Sequence, residues 1–372
     1  MRVLVAPDSF KGSLSALEVC DIVKRALGSA VPDCEVDCIP VADGGEGTAD
    51  SFVFACGARL NEAEVTAPDF TRVKARYAVM GNTAVIETAQ ASGLPLVKGQ
   101  NDPVLATSYG SGELILDALD KGCKHVILGI GGSATNDGGI GCLTALGVRF
   151  LDENGAQVEP NGLGMSKVKS VDVSGIDSRV ARCEFTVLCD VENPLYGNNG
   201  AAYVYAPQKG ADADKVAFLD SALRNYELAV KNSVGVDFAA DKGSGAAGGM
   251  GYGFRVFLGA TLRSGAKTVL DICGFDERAA RADVIITGEG RFDSQSLMGK
   301  VPCEVIGRAG DKPVLVLCGL SLLEKAEGVT AIFESNPLHL PFEQVLPTCK
   351  ESLYTAVSGD VADFLKKFEK KY

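Results

Sequence analysis

Short, unbroken apolar runs recur along this chain at residues 2–6, 36–41, 83–87, 125–130, 185–190, 284–287 and 313–318. A strand that is apolar on both faces must be covered on both faces. Helical patterns occupy most of the gaps, as at residues 15–28, where Leu17, Ile22, Val23, Ala26 and Leu27 follow the cap-like Ser13 and Ser15. Together these features predict a parallel, doubly wound α/β sheet. At 372 residues the chain is long enough for roughly two domains at about 150 residues each. The stretch 61–80 reads differently, as strands Glu64–Thr66 and Val73–Val79 around a Pro68-Asp69-Phe70 turn. Residues 152–164 read as a loop and 195–210 as strand plus turns. We therefore expect a discontinuous flavodoxin-like domain built from 1–60 plus 268–372, and an inserted α/β domain over 61–267.

Composition narrows the function. Net charge is −12, which repels polyphosphate backbones and argues against nucleic acid as the main ligand. No apolar run approaches the roughly 18 residues that span a bilayer, so no membrane partner is expected. The start, Met1-Arg2-Val3-Leu4-Val5, enters Ala6-Pro7-Asp8 without the apolar stretch of a signal peptide. Twelve scattered Cys lack zinc-site spacing and read as free core thiols, which places the chain in the cytoplasm. With only His125 and His339, acid–base chemistry falls to Asp, Glu, Lys or Tyr.

Glycine is the outlier, at 44 residues. It concentrates in loops at the carboxyl ends of the apolar runs, where open α/β sheets bind ligands. The strongest such loop is Gly129-Ile130-Gly131-Gly132-Ser133-Ala134-Thr135-Asn136-Asp137-Gly138-Gly139. Its glycines let backbone N–H groups approach a phosphate without Cβ clashes. Asp8-Ser9-Phe10-Lys11-Gly12-Ser13 offers a carboxylate, a hydroxyl and an ammonium ahead of a helix start. Asp43-Gly44-Gly45-Glu46-Gly47-Thr48 suits a metal or a ribose. Thr287-Gly288-Glu289-Gly290-Arg291-Phe292-Asp293-Ser294-Gln295 brings an Arg fork for a phosphate or carboxylate. Asp190 ends the run Val187-Leu188-Cys189. For the other loops the alternative is a capped or tight turn with solvated charges, whereas a purely structural role would not need the glycines and the hydroxyl-amide-carboxylate run of 129–139. A Walker A motif is absent, since Gly299-Lys300 is followed by Val301. Gly243-Ser244-Gly245-Ala246-Ala247-Gly248 matches the dinucleotide fingerprint superficially. The run before it is broken by Gly235 and Asp237, and a nicotinamide dehydrogenase is the weaker alternative, beside a non-catalytic sugar-acid sensor.

PDSFKGSLSA, ADGGEGT, TSYGSGELI, GIGGSATNDGG, CDVENPL, PQKGA, GSGAAGGMG and TGEGRFDSQS occur in this order between residue 1 and about 320. In these motifs the chain resembles bacterial type I glycerate kinases. The resemblance implies ATP-dependent phosphorylation of D-glycerate, with 2-phosphoglycerate the usual product, on a two-domain α/β fold. Residues 321–350 match no such motif. Phosphoryl transfer needs positioning and cations more than covalent chemistry, which agrees with the loops. On this reading Asp190 accepts the hydroxyl proton, with Asp8 and Asp43 as competitors. Lys11 and Arg291 neutralise developing charge, and are expected in one cleft. Asp43 and Asp190 would hold Mg2+. Gly131, Gly132, Ser133, Thr135, Asn136 and Asp137, with Gly288, Glu289 and Gly290, are the candidates for ATP. Asp8, Ser9, Asp43, Asp293 and Gln295 are those for glycerate. Which loop takes the triphosphate and which the substrate carboxylate stays open, and a homodimer is compatible with the reading.

Overall fold

A computed structural model describes residues 1–369. Its strands are β1 (Arg2–Pro7), β2 (Glu35–Cys38), β3 (Arg59–Thr66), β4 (Arg72–Met80), β5 (Thr83–Glu87), β6 (His125–Gly129), β7 (Arg149–Leu151), β8 (Ser170–Asp172), β9 (Glu184–Leu188), β10 (Thr261–Arg263), β11 (Val284–Phe292), β12 (Val314–Ser321) and β13 (Ala331–Glu334). The chain divides into two compact units. The first holds Met1–Asp43, Asp50–Gly57 and residues 264–369; the second holds Gly44–Ala49 and Ala58–Arg263.

In the first unit the strand order is β2-β1-β11-β12-β13, and every pairing is parallel. Counted within the unit this is 2-1-3-4-5, the flavodoxin-like order, whose ligand crevice lies where the winding reverses, between the first and third strands. Here those are β1 and β11, joined in register from Val3↔Val284 to Pro7↔Gly288. Val3, Val5, Val284, Ile286, Leu315 and Leu317 face a core shared with Ile22, Val23, Leu27 and Leu365. The helix Ala16–Ala30 starts on a capping box. Ser15 Oγ accepts from the Glu18 amide and Glu18 accepts from the Ser15 amide, satisfying two donors that a helix start otherwise leaves bare.

The second unit is a mixed sheet in the order β10-β9-β6-β5-β4-β3. β5, β6, β9 and β10 run parallel, while β3–β4 and β4–β5 are antiparallel. β7 and β8 form a separate antiparallel pair.

Three expectations are corrected. Residues 195–210 carry a helix, Ala201–Tyr205, and a 3-10 turn, Pro207–Lys209, in place of a strand. The aromatic and β-branched Tyr203-Val204-Tyr205 suggests extended chain, but burial falls at Ala202, Ala206 and Lys209, a helical spacing. The supposed loop 152–164 contains a short helix, Gly162–Met165, capped by Asn161. The second strand ends at Cys38, short of Val41. The dinucleotide-like GxGxxG follows the helix Ala213–Val234 and its Gly235 cap, with no strand before it, so the fingerprint lacks its structural context.

All twelve Cys are free. Among the described residues no helix is long and apolar enough to cross a membrane.

Candidate active site

The switch point of the first unit gathers charge. The Asp8 amide donates to Gly288 O at 2.8 Å, fixing the turn that leaves β1 beside β11. Asp8 is only 5% exposed, and its carboxyl is pushed up to about 7, first by burial and then by the negative charge of Asp43. The amide of Ser9 donates to Asp8 Oδ1 at 2.6 Å and partly offsets that rise. Lys11 Nζ bonds Asp43 Oδ2 at 3.1 Å, and Asp43 holds the ammonium above its ordinary value. Glu289, on β11, is buried; burial raises its carboxyl, while Lys300 Nζ stands 3.8 Å from its Oε2. Its Oε1 is buried without a hydrogen-bond partner. Gly290 lets β11 pass the Phe10–Lys11 backbone, since a Cβ there would lie 3.2 Å from Phe10 Cα.

Lys11 and Arg291 do not share a partner. Arg291 is exposed and its Nε lies 3.4 Å from Asp293 Oδ2. Asp293 also caps the 3-10 turn Ser294–Leu297 by accepting from the Gln295 amide, while the Gln295 side chain is exposed. Gly288 has a packing reason of its own: a Cβ there would overlap the Leu317 carbonyl on β12.

In the second unit the Gly-rich loop follows β6. The Gly131 amide reaches Gly44 O at 3.3 Å, and a Cβ on Gly131 would come 2.9 Å from Gly45 Cα, so the 44–47 and 129–132 backbones pack directly. Gly132 adopts φ +73°, which favours glycine. Asp137 is fully buried. It accepts from the Ser108 amide and hydroxyl at 3.0 and 2.6 Å and from the amides of Gly139 and Gly141, so this carboxylate braces the loop. Thr135 Oγ1 and both polar atoms of the Asn136 side chain are buried with no partner. Buried polar groups are nearly always satisfied, so these atoms mark a place for a ligand or water. Ser133 is buried and bonded to Lys209 Nζ at 2.7 Å. Asp190 is exposed, just beyond the end of β9.

Lys209 is the residue that sequence reasoning missed. Its one signal is the PQKGA motif, where a single Lys in a turn reads as solvated. Neither His joins a cluster: His125 meets Thr186 Oγ1 and His339 meets Glu334. No group of three or more His, Cys, Asp or Glu side chains poised to hold a metal occurs among the described residues.

A sequence profile described as the glycerate kinase family matches residues 3–366. Glycerate kinase of Bacillus subtilis (strain 168) is 42% identical over 375 residues, covering 98% of each chain. Glycerate 2-kinase of Escherichia coli (strain K12) is 42% identical over 343 residues, covering 90% of each. A crystal structure from Salmonella typhimurium LT2, of a protein assigned as glycerate kinase 2, superposes with a TM-score of 0.88 at 42% identity, covering 100% of this chain and 99% of the other.

Proposed function

The chain belongs to the glycerate kinase family, and from that premise we propose that it transfers the terminal phosphoryl group of ATP to the 2-hydroxyl of D-glycerate, giving 2-phosphoglycerate. As a kinase it is a phosphotransferase with an alcohol acceptor. The observation that carries the residue assignment is the buried Asp8, pushed up to about 7 at the β1/β11 switch point. A carboxylate poised near neutrality is suited to take the proton of the attacking hydroxyl. Of the three carboxylates considered from sequence, Asp8 therefore replaces the exposed Asp190 as the proposed acceptor. Lys11 beside Asp43 supplies a cation for the charge that develops in transfer. Arg291, beside Asp293, is assigned with Ser9 and Gln295 to the glycerate carboxylate and hydroxyls. The Gly131–Asn136 stretch is assigned to the phosphates of ATP, with Asp137 as its brace.

A divalent cation is proposed here on few protein ligands, since no cluster of three such side chains is poised to hold one among the described residues; Mg2+ would take one or two carboxylates and complete its shell with phosphate oxygens and water. Burial raises Asp8 first, and the negative charges of Asp43 and then Glu289 add to the rise; a hard cation would relieve that added repulsion. Asp43, beside Lys11, is the proposed ligand. When bound, Mg2+ would neutralise phosphate oxygens. The division into 1–60 plus 268–372 and 61–267 is proposed as a domain division, supported by the two compact units. A cytoplasmic setting is proposed on the free thiols.

The test supplies D-glycerate, ATP and Mg2+, follows ADP release, and maps the product by 31P NMR. ADP release with the 2-phosphate signal is expected. A 3-phosphate signal would move the transfer to the other hydroxyl. Glycerate binding without ADP release would leave a sensor.

A further inference from the structure

Lys209 is 3% exposed, in the 3-10 turn Pro207–Lys209. Its Nζ donates to Ser133 Oγ and to Thr135 O, each at 2.7 Å. The same turn is tied to the loop through its backbone, because Asn101 Nδ2 donates both to Ala134 O and to Lys209 O. Among the described residues Lys209 makes no ion pair. A buried ammonium without a counter-ion is costly, and an anion arriving beside it removes that cost. Its two bonds also have a directional effect. Ser133 Oγ accepts from Lys209, so the hydroxyl proton of Ser133 stays available to donate. Next to it lie the buried, unpartnered Thr135 hydroxyl and Asn136 amide. The loop thus holds several donors that the protein leaves unused.

We propose that Lys209 is a positioning residue for phosphoryl transfer: it fixes Ser133 and the Thr135 peptide so that the 133–136 donors face an anionic ligand, and supplies that ligand with a buried counter-charge. The inference rests on the assignment of this loop to the phosphates of ATP. Burial depresses the Lys209 ammonium to about 7, and the one charged group acting against that is the Asp137 carboxylate of the Gly-rich loop, which forms no ion pair with it. Above about pH 7 the free protein therefore carries a neutral amine at this position. An anion bound beside it favours the ammonium, so binding draws in a proton.

The experiment compares the wild-type protein with Lys209→Met, which keeps length and apolar volume. ATP with Mg2+ is titrated at pH 8, without glycerate, in two buffers of different ionisation enthalpy, and KM for ATP is measured from pH 6 to 9. Wild type should take up a fraction of a proton, and its KM should rise as pH passes about 7. Lys209→Met should lose both the uptake and the inflection, with KM raised about ten- to a hundredfold, the range for groups that orient a ligand-holding element. Wild-type uptake matched by the variant would overturn the proposal. If Lys209→Met does not fold, the wild type decides alone: no proton uptake and a flat KM would overturn it. That result is distinct from a failure of the proposed function, because the wild type could still phosphorylate glycerate.

Discussion

Asp8 shows most clearly what one residue can do here. Asp8→Asn preserves size and removes the proton acceptor, so kcat should fall about 10²- to 10⁴-fold. Asp190→Asn should leave kcat within a few-fold; the reverse pattern in a steady-state assay would return the role to Asp190. The same carboxyl gives a pH signature in metal-free protein. Its folded-state pKa, about 7, lies above the reference value of 3.8, because of burial first and Asp43 second. The folded form keeps a proton that the unfolded form releases between those values. Stability should therefore fall as pH rises from about 4 to about 7, then level off. The loss is a few kcal/mol at most, since one pKa unit is about 1.4 kcal/mol. Urea unfolding at pH 5 and pH 8 should show a smaller difference in Asp8→Asn than in wild type. The sequence offered Asp8 as a competing proton acceptor, but not the burial that shifts its carboxyl. Asp8 could be listed as a carboxylate after a strand, but its burial depends on β11, which begins at Val284.

At the scale of elements the sequence was more informative. Val, Ile and Leu runs marked β1, β5, β6, β9, β11 and β12 because strands covered on both faces leave no room for polar alternation. The helix Ala201–Tyr205 was hidden by its own composition, and β13 by being short and half-buried. The glycines show the limit of reading loops by type. Gly288 stood among the ATP candidates, yet its absent side chain makes room for the Leu317 carbonyl on the neighbouring strand. Gly288→Ala should push β11 and β12 apart and cost about 1–3 kcal/mol, the usual range for overpacking. Chemical denaturation measures this directly. An unchanged midpoint with impaired nucleotide binding would restore the ligand role. Lys209 escaped for the opposite reason: a lysine in a Pro-Gln-Lys-Gly turn gives no local hint that the chain will bury it against Ser133.

For the whole molecule, the two units have separate cores. The segment 44–263 carries all the strands of the second unit and the Gly44–Ala49 stretch that packs with them, including the Ala49 amide on Glu87. Expressed alone, it should melt cooperatively in circular dichroism. Non-cooperative melting would show that the unit depends on the rest of the chain. The first unit faces a different difficulty. β1 lies between β2 and β11, but it ends at Pro7, while β11 starts only at Val284. At about 5–20 residues per second, a ribosome takes roughly 15–55 s to deliver the missing neighbour. Throughout that interval Val3, Leu4 and Val5 have one backbone edge without its final partner, and such edges invite pairing with other chains. The strand made first is thus among the last to be completed, and the yield of this protein in a cell should depend on whatever shields newborn chains during that delay.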